Sequence, residues 1–480
     1  MRLHVVRLLA SIALPAVLAS SAAAELRLPS VFSDHMVLQR DREVPVWGWA
    51  DPGSEVHVTV DDQTVATTAG ADGKWRVMLP GHPAGGPFTL ALASDADDVD
   101  GDRVEVTDVY FGEVWLASGQ SNMEWPVRAT VNAEEEISAA QFPLVRMFTV
   151  PHSPAAEPQD DTEGKWQVAS PQTVASFSAV GYYFARMLHR ELDVPVGILH
   201  TSWGGTLAEA WTSREALEAN EAFQPILDRV DRTRDRQHRA AHLYNGMLAP
   251  LVGYGIHGAI WYQGESNVGR AEQYASLFPA MIADWRSRWG QGDFPFYFVQ
   301  LAPFRYGNMD PELLAELWDA QLKTLRNVPN TGMVVTTDIA TTHDIHPPNK
   351  QDVGKRLALW ALANVYGEQG VVFSGPIYKS HEVRGNKVRI EFDHLADGLK
   401  ARDEGDLTHF TIAGEDQKFV PAEAEIDGNA VVVSSDQVER PVAVRFAWDD
   451  TAEPNLVNST GLPASPFRTD DWQLKTHGQR

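Results

Sequence analysis

The sequence has no cysteine among its 480 residues, which excludes a disulfide framework and a thiol-linked lipid anchor. It is also short of basic residues: 40 Lys and Arg stand against 65 Asp and Glu, a formal charge of -25. Nucleic acid and anionic membrane surfaces are bound by basic faces, so neither is an expected partner. Beyond residue 24 no apolar run is long enough to cross a bilayer, so membrane insertion is not expected. Low-complexity tracts and repeats of fixed period are missing too. What remains is an ordinary globular composition, 44% hydrophobic and 22% charged, in a chain too long for a single core.

Residues 1–24 read as a cleavable signal peptide. Arg2 and Arg7 give the positive start, an apolar run follows, and Ala22-Ala23-Ala24 supplies small residues for cleavage. A large exported chain without cysteine suggests a bacterial periplasmic or extracellular protein that is stabilised by its core. Residues 25–107 alternate in short runs such as Val56-His57-Val58-Thr59-Val60, separated by turns such as Asp51-Pro52-Gly53, the pattern of a small β-sandwich. From 108 to 370, strand-like apolar runs at 114–117, 196–200, 258–262, 296–301 and 333–337 alternate with helical periodicity. Tyr274, Phe278, Met281 and Trp285 mark one helix, and Leu314, Trp318, Gln321 and Leu325 another. Such alternation predicts an α/β fold, a parallel five-stranded sheet with helices on both faces. Residues 371–480 return to strand patterning, with Asp427-Gly428 a hairpin turn, so β-rich segments flank the α/β region on both sides.

Open parallel sheets place their chemistry beyond the carboxyl ends of the strands. Four loops there carry suggestive residues. The first, Gly119-Gln120-Ser121-Asn122-Met123, delivers a serine at the end of an apolar strand, flanked by a glycine that permits a sharp turn. Taken alone, Ser121 reads as a helix cap. The second, Thr201-Ser202-Trp203-Gly204-Gly205-Thr206, pairs glycines whose amides can approach a ligand closely. The third is Trp261-Tyr262-Gln263-Gly264-Glu265-Ser266-Asn267, and the fourth His343-Asp344-Ile345-His346-Pro347-Pro348-Asn349-Lys350. A serine hydroxyl needs a base near neutral pKa, and the imidazole in turn needs a carboxylate to orient it. The order Ser, Asp, His fits such a triad, although Met123 departs from the Gly-x-Ser-x-Gly elbow. Zinc on His343, Asp344 and His346 would lack a convincing third or fourth ligand, so no metal is expected.

These four stretches, with Val31-Phe32-Ser33-Asp34-His35-Met36-Val37-Leu38-Gln39 and Gly461-Leu462-Pro463-Ala464-Ser465-Pro466-Phe467-Arg468, resemble the sialate O-acetylesterase family. That family consists of carbohydrate esterases of the SGNH/GDSL hydrolase type, and the resemblance spans nearly the whole mature chain. It implies an SGNH-hydrolase-like catalytic domain, no cofactor, and a serine esterase that removes O-acetyl groups from sialate or plant cell-wall saccharides. Carried over, Ser121 is the nucleophile, His346 the base and Asp344 the acid, with Glu265 as a second acid or a structural hydrogen-bonder. The Ser121 amide, Gly204 or Gly205, and the Gln263 side chain would form the oxyanion hole. Asn122, Trp203 and Asn267 would contact the sugar. The other reading is a non-catalytic carbohydrate-binding protein on a hydrolase fold, which would bind sugar and release no acetate.

Overall fold

The computed structural model describes residues 26–94, 102–230 and 233–480, so the expected signal peptide at 1–24 lies outside the described residues. Its axis is one unusually long strand, Arg103–Gly119. Burial along it alternates at first and becomes continuous from Phe111 onward. That change marks its passage from a half-covered sheet into one covered on both faces. The first half pairs antiparallel with Gly85–Ser94 and parallel with Val37–Gln39 in the amino-terminal β-rich part. The strand therefore continues past residue 107, where the sequence pattern changes, with a bulge at Asp108, whose φ is +57°.

The second half is the centre of the α/β sheet. Across that sheet the order is Thr331–Val334, Phe296–Val299, Gly258–Tyr262, Arg103–Gly119, Val196–Ser202, Phe142–Thr149 and Trp166–Ala169. The first six are parallel and the last pairs antiparallel with Phe142–Thr149. All five expected strands are present, and the sheet is wider than expected by two. Pro143 and the break in register between Phe142 and Arg146 disguise the sixth strand in the sequence.

Two helix pairs cover the sheet: Ala179–Leu192 with Lys350–Asn364, and Ala271–Trp289 with Glu312–Asn327. Tyr274, Phe278, Met281 and Trp285 are all buried, as their spacing predicts. The carboxyl-terminal part holds two four-stranded sheets and one two-stranded sheet, with Asp427 paired to Ala430 across the expected hairpin. Both β-rich ends pack on the α/β layer. Tyr254 Oη donates to the Val37 carbonyl at 2.8 Å, and Gln300 Nε2 donates to Ser465 Oγ at 3.1 Å. The flanking motifs noted in the sequence are therefore joints between the layers.

Register decides where the chemistry sits. Gly119 is paired with Ser202 on one side and Tyr262 on the other. Three central strands thus end at one level, and the loops that follow them start side by side. On either side of this point the chain continues towards opposite edges of the sheet, and such switch points are where open α/β sheets bind ligands.

Candidate active site

Ser121 follows a forced turn. Gly119 has φ of +144°, and a Cβ there would lie 2.1 Å from the Tyr262 carbonyl oxygen. Gln120 N–H donates to that carbonyl at 2.9 Å. Ser121 then opens the one-turn helix Ser121–Glu124. Its hydroxyl lies 2.8 Å from His346 Nε2, within reach of proton transfer. The His346 ring is stacked on Trp125, centroids 4.7 Å apart and 17° from parallel, which fixes its plane. Burial, with the Lys350 ammonium adding to it, holds the imidazole below its ordinary pKa and keeps it neutral, as a base requires.

Asp344 accepts the backbone N–H of His346 at 2.8 Å, while its Oδ1 stands 3.9 Å from His346 Nδ1. The carboxylate thus shapes the His346 loop directly and faces the ring from just beyond hydrogen-bond distance. Glu265 has a different place. Its Oε1 accepts from Asn122 Nδ2 at 2.6 Å, and burial pushes its carboxyl above the usual range.

Asn122, expected to meet substrate, is buried and fully engaged. Besides Glu265, its Nδ2 donates to the Ile345 carbonyl at 2.9 Å, and its Oδ1 accepts from Lys350 Nζ at 2.5 Å. One side chain therefore ties the stretch that follows Ser121 to the residue before His346. Lys350, at the first position of its helix, is wholly buried, and desolvation pushes it down to about 7.

Two of the expected oxyanion donors are engaged within the protein. Gly204 N–H donates to Glu124 Oε2 at 2.7 Å and is not free for a substrate oxygen. Gln263 is buried, with Nε2 donating to the Thr206 carbonyl at 3.1 Å and to Asn267 Oδ1 at 2.7 Å. It braces the loop from beneath. Asn267, expected to contact sugar, is also buried; it accepts from Ala208 N–H and donates to Glu209. Among the described residues, no hydrogen bond occupies the amides of Ser121 or Gly205. Gly205 is exposed at φ of +74°, where only glycine sits without strain. Trp203 lies flat against His152, centroids 4.0 Å apart.

Sequence reasoning did not single out Glu124 or His152, read Trp125 as a core or rim tryptophan, and gave Lys350 no role. Glu124 had a weak signal, one helical turn after Ser121. Lys350 stood in the fourth loop stretch but looks like a solvated helix start, and His152 carries no local signal at all.

The model of the family described as carbohydrate esterase, sialic acid-specific acetylesterase, matches residues 111–363. The sialate O-acetylesterase of Rattus norvegicus is 30% identical over 510 residues, covering 92% of this chain and 94% of that protein. The human protein of the same name is 29% identical, covering 93% of each chain. Among solved structures, a carbohydrate acetylesterase from Xanthomonas citri is 41% identical with a TM-score of 0.86, covering 93% of this chain and 100% of that one.

Proposed function

The chain belongs to the sialic acid-specific acetylesterase family of carbohydrate esterases, and from that premise we propose that it removes O-acetyl groups from sugars through an acyl-enzyme on Ser121. The observation that carries this reading is the 2.8 Å approach of Ser121 Oγ to His346 Nε2. His346 takes the hydroxyl proton as Oγ bonds to the acetyl carbonyl carbon. The amides of Ser121 and Gly205 receive the negative charge on the carbonyl oxygen. His346 then returns the proton to the departing sugar hydroxyl. A water molecule, deprotonated by the same imidazole, releases acetate and restores the serine. Asp344 favours the imidazolium that forms in each half-reaction.

The substrate is an O-acetylated sialate or plant cell-wall saccharide, and residues 1–24 export the protein to the periplasm or beyond. Ser121→Ala tests the mechanism. Acetate release from acetylated sugars and from an activated acetyl ester should fall by at least about 10³-fold while the far-UV CD spectrum is unchanged. Retained turnover in that variant rules out the serine mechanism.

A further inference from the structure

The Glu124 carboxylate reaches from the nucleophile's own helix to the glycine loop. Oε2 accepts from Gly204 N–H at 2.7 Å, and Oε1 pairs with His152 Nε2 at 3.0 Å. His152 Nε2 is also 3.2 Å from the Ser202 carbonyl, and the imidazole lies within 5° of parallel to Trp203. Residues 202, 203 and 204 are thus gripped in succession by two side chains. A Cβ on Gly204 would stand 3.2 Å from Ser121 Cβ, so the gripped loop lies directly against the nucleophile.

This arrangement has an electrostatic consequence. An ionised carboxylate beside an oxyanion hole opposes the charge that develops there, unless a cation accompanies it. His152 is placed to be that cation. We propose that Glu124 and His152 act as a positioning pair for deacetylation, Glu124 holding residues 202–205 against Ser121 and the His152 imidazolium neutralising Glu124. The pair touches neither the acetyl group nor the reacting atoms, and the proposal rests on the reading of Ser121 as nucleophile.

The neighbouring charges allow this role. On the sheet side stands His200, buried and held neutral by desolvation, with a pKa of about 4. On the open side Arg236, Glu157, Asp161 and Glu163 line a groove of about 920 Å³ together with His152. The hydrogen bond to Glu124 raises His152 above its ordinary value against the pull of burial. Burial pushes Glu124 up, but its bonds from His152 and Gly204 outweigh this and hold it below the usual range. Both groups are therefore charged around pH 6. As pH rises through the His152 value, the pair gains a net negative charge and kcat should fall. Lys350 titrates nearby, at about 7, but it is present in every variant used here.

The test is kcat and KM for an activated acetyl ester from pH 5.5 to 9.5, in the full chain and in Glu124→Gln, Glu124→Ala, His152→Gln and Ser121→Ala. Glutamine still accepts from Gly204, so Glu124→Gln should keep kcat within about 3-fold at pH 6 and lose the alkaline decline. Glu124→Ala frees the loop and should lower kcat about 30-fold with KM nearly unchanged, short of the loss of a direct oxyanion donor. His152→Gln leaves the carboxylate unneutralised at every pH and should show a low kcat with no alkaline decline. An alkaline decline of wild-type size in Glu124→Gln overturns the proposal even if Glu124→Ala fails to fold. If Ser121→Ala remains active, the nucleophile reading fails instead, so the two failures are distinguishable.

Discussion

Replacing Asp344 by Asn removes a charge while leaving an oxygen that can still accept the His346 backbone N–H. The His346 loop should therefore keep its shape, and the change isolates the electrostatic contribution of the acid. Oδ1 stands 3.9 Å from His346 Nδ1. At that separation, attraction between a carboxylate and an imidazolium is about 1 kcal/mol in water and about 4 kcal/mol at an effective dielectric constant of 20. Asp344 is about half exposed, with 53% of its side-chain surface accessible. Solvent screening therefore puts the contribution towards the lower bound, about 1–2 kcal/mol. That energy is gained in the transition state, where the imidazole is charged, so kcat should fall about 5- to 30-fold with little change in KM. The assay is initial-rate hydrolysis of an activated acetyl ester at pH 8, run beside Glu265→Gln. Glu265 is bonded to Asn122, so its substitution should act mainly on stability, read as a lower urea midpoint. A wild-type kcat in Asp344→Asn together with collapse of kcat in a folded Glu265→Gln would reverse the assignment of the acid. A loss far above 30-fold would mean that the carboxylate closes onto Nδ1 when substrate binds.

Three further outcomes follow from the same geometry. Gly119→Ala places a Cβ 2.1 Å from the Tyr262 carbonyl at a φ of +144°, so it should destabilise by at least about 3 kcal/mol, measured by urea unfolding. Lys350→Met removes a buried charge that disfavours the His346 imidazolium, so the His346 pKa rises; activity, which needs neutral His346, should then be lost at higher pH as the solution is acidified, and an unmoved acid limb would contradict this. Asn122→Ala strips partners from Lys350, Glu265 and the Ile345 carbonyl, and should lower both kcat and stability, the latter by about 3 kcal/mol in urea unfolding.

The parts of this molecule that were legible beforehand are those whose signal is local. Strands buried on both faces appear as continuous apolar runs, and a serine placed two residues past the end of such a strand is carried to the carboxyl end of the sheet by strand register alone. The two additional strands were hidden because Phe142–Thr149 contains a proline and a break in register, while Trp166–Ala169, at the edge, is only four residues long. Near 107 the sequence changes from alternating to continuous apolarity, and there a single strand, bulged at Asp108 with φ of +57°, passes from a half-exposed sheet into a fully covered one.

In the site, the sequence supplies residue types but not the state of their hydrogen bonds. Asn122, Gln263 and Asn267 have the amides that substrate recognition would use, and in the folded chain each amide nitrogen already donates within the protein. The Gly204 amide is taken by a glutamate that stands 80 residues earlier in the chain. Such pairing is set by which loops lie side by side, and that depends on the order of strands across the sheet. The same cause explains Lys350, which begins a helix and would be solvated there if nothing covered it. The fold brings Asn122 and the Tyr262 ring against it instead, the ring centroid 5.3 Å from Nζ. A buried amine then becomes part of the field that keeps the base neutral. The sequence motifs single out Ser121 and His346, and topology determines the charges and donors that surround them.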